Sequence, residues 1–280
     1  MKTPQSPKSR TKLSRHVEAV SFSQLAPNLL TTIGLCGGLV GIHYALSGHF
    51  RSACLALLVS FFCDGLDGRV ARILRASSKF GAEYDSLTDF MAFGVAPALI
   101  VFLWSVHNHD SLNFAFIPSL LYAVCMALRL ARFNVAEEAP KGAEEYTRHF
   151  FSGVPAPAGA GLALFPIFLG LAAQQSGIDW LIPYTHGELL CASSLVITAF
   201  LLVCTLPIWS IKHFRVPKHF FLPFLLIAAI YIAFFVATPW ATLAMMGIVY
   251  ILLIPTSHYF YWKWRRLQEK EEGEELVANL

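Results

Sequence analysis

The chain has 280 residues, of which 56% are hydrophobic and only 14% charged, with a mean hydropathy of +0.56. Those values exclude an ordinary soluble domain; apolar runs recur at lengths that cross a bilayer core of roughly 30 Å, so a multi-span helical membrane protein is expected. A net charge of +3 is too small to suggest a nucleic-acid partner, and its distribution along the chain says more than its sum.

In chain order, residues 1–27 read as a basic cytoplasmic tail (Lys2, Lys8, Arg10, Lys12, Arg15) followed by a short interfacial helix over Val17–Leu25. The polar, basic start does not resemble a cleaved secretory signal. Residues 28–262 are expected to form the membrane domain and 263–280 a charged cytoplasmic tail. The first span is Leu29–Leu46, opening near Pro27 and carrying Gly34, Gly37, Gly38 and Gly41 at spacings that suit close helix packing. Asn28 and Thr31 at its start are candidate ligand contacts. The second span is Ser52–Arg72. The third is Ala82–Trp104, with a kink expected at Pro97, and the fourth is Phe114–Phe133. The remaining spans are Ala158–Ala173, Glu188–Pro207, Phe220–Ala237 and Trp240–Tyr259. The fold expected is all-α, a polytopic bundle of about eight spans. The six cysteines (Cys36, Cys54, Cys63, Cys125, Cys191, Cys204) lie in or beside apolar runs and read as small buried hydrophobes.

Eight crossings put both termini on one side. Of the 21 Lys and Arg residues, Arg51 alone then falls on the other side. Positive charge is retained in the cytoplasm, so both termini and the link after Arg72 are expected there, in a cytoplasmic (inner) membrane.

That link joins the stretch that carries the chemistry. Asp64, Asp67, Gly68, Ala71 and, more obliquely, Arg72 share one face of the second span; Gly81, Asp85 and Asp89 share one face near the start of the third. A hairpin turns those faces together. Four carboxylates at close range repel unless protonated or bridged by a cation, and oxygen donors select Mg²⁺ or Mn²⁺. Gly68, Ala71 and Gly81 interrupt the wall of side chains, so a phosphate can approach the backbone. Acids, metal and close access together suggest a pyrophosphate substrate, with paired metals on the leaving group and one carboxylate accepting the proton of an attacking hydroxyl.

The order of these residues, D-x2-D-G-x2-A-R-x8-G-x3-D-x3-D, resembles the signature of the CDP-alcohol phosphatidyltransferase family over all its fixed positions: Asp64, Asp67, Gly68, Ala71, Arg72, Gly81, Asp85 and Asp89. The resemblance implies group transfer between a CDP-linked donor and an alcohol, with divalent metal. It implies metal ligation by Asp64, Asp67 and Asp85, and a metal-site carboxylate acting as general base at Asp89. Gly68, Ala71, Arg72 and Gly81 would border the CDP moiety, and a homodimer is the implied assembly. The stretches Ser78–Glu83, Phe93–Ala98, Arg129–Asn134 and Gly153–Pro157 look like the branch that moves the phosphatidyl group of CDP-diacylglycerol to L-serine, releasing CMP.

Arg129 and Arg132, three residues apart at the end of the fourth span, have planar donors suited to a serine carboxylate or a lipid phosphate; interfacial anchoring is the alternative. Lys212 reads mainly as a cytoplasmic anchor. The same chemistry with glycerol phosphate, inositol phosphate or choline is the nearest rival function. An intramembrane prenyltransferase would separate its acidic motifs, and an ion-coupled transporter would carry acids nearer the middle of the membrane.

Overall fold

The computed structural model describes residues 22–76, 78–107, 115–138, 150–204, 207–209 and 221–256. The basic and acidic tails, most of the proposed interfacial helix, the polar segment before residue 150 and Lys212 lie outside these residues.

Two helices, α1 (Phe22–Leu46) and α2 (Phe50–Ile73), form an antiparallel hairpin. The turn requires a left-handed residue, supplied by Gly48 at φ +76°, whose N–H donates to Ala45 O at 3.0 Å. Glycines then let the two backbones meet. A Cβ at Gly37 would lie 2.8 Å from Ala56 O, and one at Gly41 would lie 3.2 Å from Ala53 O. Ser60 Oγ donates to Gly34 O at 2.7 Å across the same seam. α1 runs through Pro27 rather than starting near it. Pro27 has no N–H to give, so the helix forgoes one backbone bond there.

α2 ends with Ala76 N–H returning to Ala71 O at 2.9 Å and with Arg75 at φ +52°. Glycine usually holds that left-handed place. Ser78 then caps α3 (Lys79–Asp89), its Oγ accepting from Gly81 N–H at 3.0 Å. α3 continues through a π-helical segment, Phe90–Val95, into α4 (Ala96–Val106), making one span, Lys79–Val106. The expected kink at Pro97 is replaced by this π segment, in which Ala96 N–H reaches back five residues to Met91 O. Pro97 has no N–H for the Phe93 carbonyl four residues earlier. The Tyr122 hydroxyl on α5 (Phe116–Glu138) takes that carbonyl at 2.7 Å.

A proline interrupts the next span as well, here with a bend. α6 (Ala156–Ala163) and α7 (Phe165–Ser176) are bent by 51° ahead of Pro166, where an unbroken Ala158–Ala173 helix is expected from hydropathy. Pro166 leaves the Leu162 carbonyl without its helical partner, and Ser194 Oγ donates to it at 2.9 Å. A 3₁₀ turn (Asp179–Leu181) and α8 (Ile182–Thr185) precede α9 (Glu188–Val203), which holds Ser194. α10 (Phe221–Ala237) and α11 (Pro239–Thr256) are the last elements among the described residues.

One feature departs from the all-α expectation. A three-residue antiparallel ladder pairs β1 (Phe150–Ser152) with β2 (Pro207–Trp209), Phe151 facing Ile208. It gives backbone partners to two short extended segments beside α6 and α9.

Four helices among the described residues are long and apolar enough to cross a membrane, or six if each bent pair is one span. Of the other two expected spans, α2 carries the acidic and basic motif and α10 is short. The core is filled by Phe93, Trp104, Tyr122, Met126, Leu164 and Leu195, all essentially inaccessible. Apolar residues of α10 and α11, such as Leu222, Ile227 and Leu252, point outward, as lipid-facing side chains do.

Tyr122→Phe is expected to destabilise the fold by about 1–3 kcal/mol, because it strands a buried carbonyl while keeping the ring. Thermal unfolding in detergent reads this as a lower Tm.

Candidate metal centre and active site

The hairpin α1–α2 and the start of α3 meet at the end of the bundle opposite Gly48. There Asp64, Asp67 and Asp85 bring carboxylate oxygens within 4.8 Å of one another. Asp89 joins the group in the same cavity, in close electrostatic contact with Asp64 across the α2–α3 seam, as Asp67 is with Asp85. Two carboxylates in contact hold together only through a shared proton or a cation. The sequence-predicted acids therefore all converge on one point.

The surroundings are specific. Thr31 Oγ1 lies 3.0 Å from Asp67 Oδ2, and Gly68 N–H donates to Asp67 Oδ1. Asp67 is buried, with only 5% of its surface accessible. The four aspartates share a small cavity with Thr31, Gly34, Ser60, Thr88, Ala92 and Phe93, with room of about 10 Å³ for the centre of a small guest. That is the space of a single water or ion. The donor set is all oxygen and strongly anionic, the chemistry a hard divalent cation requires. The residues present thus fit Mg²⁺ or Mn²⁺.

The small residues of the motif lie around this point rather than in it. An added Cβ at Gly65 or Gly68 would meet nothing within 4 Å, so the backbone beside Asp64 and Asp67 faces open space. Ala71 is half-buried, and Arg72 is exposed with its Nε donating to Gly68 O at 3.0 Å. Gly81 is tight: a Cβ would lie 3.1 Å from Ser78 Oγ and 3.2 Å from Asn28 Oδ1. Gly81 thus lets the start of α3 sit against α1. Tyr84 and Thr32 hydroxyls, 3.0 Å apart, tie the same helices together.

Arg129 and Arg132 reach the same end of the bundle, where Asn134 Nδ2 donates to Ser86 Oγ at 3.0 Å. Both guanidiniums meet backbone carbonyls. Arg129 Nε donates to Val154 O, while Arg132 Nη1 donates to Val203 O at 2.8 Å and Nη2 to Leu202 O at 3.4 Å. Arg132 thus caps the end of α9, which its position in the sequence does not reveal. Arg129 stands within electrostatic reach of Asp89 and of Tyr250 on α11.

Beside this end, α2, α6, α10 and α11 enclose an apolar groove of about 580 Å³, lined by Leu58, Phe61, Leu162, Phe235, Met246 and Tyr250 among others. The Tyr250 hydroxyl is buried there and has no hydrogen-bond partner among the described residues. Sequence reading missed this groove and the place of Thr88 in the lining of the acidic cavity. Thr31, expected as a candidate ligand contact, lies beside Asp67 instead.

Comparison with known proteins adds an independent finding. The sequence model described as CDP-alcohol phosphatidyltransferase matches residues 24–200, and that described as CDP-alcohol phosphatidyltransferase 2 matches residues 219–255. A CDP-diacylglycerol–serine O-phosphatidyltransferase of Mycobacterium leprae is 36% identical over 83% of this chain and 74% of its own length. One of Mycobacterium tuberculosis is 36% identical over 83% of this chain and 77% of its own. One of Helicobacter pylori is 41% identical over 52% of this chain and 58% of its own.

Arg132→Ala is expected to lower Tm by unpairing the last carbonyls of α9, at a cost of about 1–2 kcal/mol. A residue that served a ligand alone would leave the Tm of the ligand-free protein unchanged.

Proposed function

The chain belongs to the CDP-alcohol phosphatidyltransferase family, and from that premise we propose that it is a phosphatidylserine synthase. It transfers the phosphatidyl group of CDP-diacylglycerol to the hydroxyl of L-serine, giving phosphatidylserine and CMP. The observation that carries the reading is the convergence of Asp64, Asp67 and Asp85 within 4.8 Å, in a chain whose relatives over most of its length bear that enzyme's name.

Asp64, Asp67 and Asp85, with Asp89 at their edge, would hold a divalent cation or a pair of them, which would supply charge neutralisation for a diphosphate and its departing oxygen. The chain's own residues do the rest. The open backbone at Gly68, with Ala71, Arg72 and Gly81, borders the CDP moiety. The apolar groove ending at Tyr250 takes an acyl chain and keeps the lipid phosphate near the acids. Arg129, with only Nε engaged among the described residues, offers its remaining donors to a serine carboxylate or a lipid phosphate, and Arg132 supports it. Asp89 accepts the serine hydroxyl proton. The serine oxygen forms a bond to the lipid-proximal phosphorus as the bond from that phosphorus to the CMP oxygen breaks.

The same proposal includes a membrane domain over 28–262 crossing about eight times, with both termini and the acidic site on the cytoplasmic side of the inner membrane, and a homodimer. Among the described residues, Arg69, Arg72, Arg75, Lys79, Arg129 and Arg132 gather at the acidic end, and Arg51 stands at the other. That asymmetry supports the orientation.

With CDP-diacylglycerol supplied, labelled serine is expected to enter lipid in the presence of Mn²⁺ or Mg²⁺ and not in EDTA. Preferential incorporation of glycerol phosphate, inositol phosphate or choline would reassign the acceptor, and ion flux without lipid product would favour a transporter. Asp89→Asn is expected to lower serine transfer by about 10²–10⁴-fold at unchanged Tm. Normal turnover by that variant would remove Asp89 from the base role.

A further inference from the structure

A threonine in a helix ordinarily returns its hydroxyl proton to the carbonyl three or four residues earlier. Thr31, Thr32, Thr198, Thr238 and Thr242 reach the carbonyl four back, and Thr185 and Thr256 the one three back. Thr88 is the exception among the described threonines. Its hydroxyl is buried, the residue being 5% exposed, and has no hydrogen-bond partner among the described residues.

Its surroundings explain what that costs and what offsets it. Thr88 lies on α3 between Asp85 and Asp89, and it lines the small cavity that holds all four aspartates. A buried hydroxyl with no partner is destabilising. A rotamer that forgoes the Tyr84 carbonyl is therefore maintained by something the cavity receives. A fifth carboxylate there would add to a charge already in excess. A hydroxyl adds an oxygen donor without adding charge, and a hard cation of near-octahedral preference needs more oxygens than three carboxylates supply with one each.

We propose that Thr88 Oγ1 supplies a neutral oxygen to the coordination shell of the divalent cation held by Asp64, Asp67 and Asp85. The inference rests on the cation reading of that cluster. It separates two threonines that line one cavity. Thr31 orients a ligating carboxylate from behind, whereas Thr88 faces the ion.

The test uses the full chain purified in detergent, with Mn²⁺ as the probe, titrated by electron paramagnetic resonance and by thermal unfolding. Thr88→Val keeps the shape and removes the oxygen; Thr88→Ser keeps the oxygen. Thr88→Val is expected to raise the Mn²⁺ Kd about tenfold or more. It should also shrink the Mn²⁺-induced rise in Tm, while its Tm in EDTA stays equal to or above that of the wild type. Thr88→Ser is expected to bind Mn²⁺ as the wild type does. Wild-type Mn²⁺ affinity in Thr88→Val overturns the inference and leaves the cation site standing. A lower Tm of Thr88→Val in EDTA also overturns it, since the hydroxyl would then be bonded within the fold. Absence of saturable Mn²⁺ binding to the wild type overturns the cation reading and this inference together.

Discussion

Mutual repulsion among the four aspartates is the constraint on which the rest of this fold depends. Asp64, Asp67, Asp85 and Asp89 share one small cavity inside a bundle that is otherwise apolar. Such a cluster persists only if the backbones carrying it cannot move apart. The Gly34–Gly37–Gly41 face of α1 holds α2 at close range, and the Ser78 cap and Gly81 seat α3 against α1. Thr31 and the Gly68 N–H then place the Asp67 oxygens individually. A site with this much imposed order has an oxygen cage waiting for positive charge.

A second pattern runs through the bundle away from the acids. Pro97 and Pro166 each deprive a carbonyl four residues earlier of its helical donor. In both cases a hydroxyl from a neighbouring helix takes the place: Tyr122 on Phe93, Ser194 on Leu162. In water such a carbonyl would be solvated at little cost; among apolar helices it needs a protein donor. The same accounting explains Arg132 at the end of α9. These side chains join helices distant in sequence, so the irregular backbone becomes a set of cross-links between the π segment and α5, α6 and α9, and α5 and α9.

The acidic site was the most legible part of the sequence because its geometry is local. Residues three and four apart share a helical face whatever the tertiary fold, so Asp64 with Asp67 and Asp85 with Asp89 were readable from spacing alone. The hairpin that joins the two pairs needed only a short link. Tertiary partners were not readable in this way. Nothing local tells an arginine at 132 that it will meet carbonyls some 70 residues later, or that Phe150–Ser152 will find Pro207–Trp209. Proline was only half legible. Pro97 marked where the third span would be irregular, though not that the outcome would be a π segment at Phe90–Val95, and the 51° bend ahead of Pro166 was not expected at all. α2 was expected as a span, but the acids and arginines that make it functional also keep it out of the helices apolar enough to cross a membrane.

The π segment has a geometric effect on the long third span. Hydrogen bonds that reach five residues back accommodate one residue more than a regular helix of the same rise. One residue corresponds to about 100° of rotation about the axis. The half that carries Asp85, Thr88 and Asp89 is therefore clocked separately from the half that carries Ile100 and Trp104, whose side chains are buried in the core at the far end. The chain can aim one half at a cation and the other at an apolar interior without asking a single helical phase to serve both, and the six residues from Phe90 to Val95 act as the gear between them.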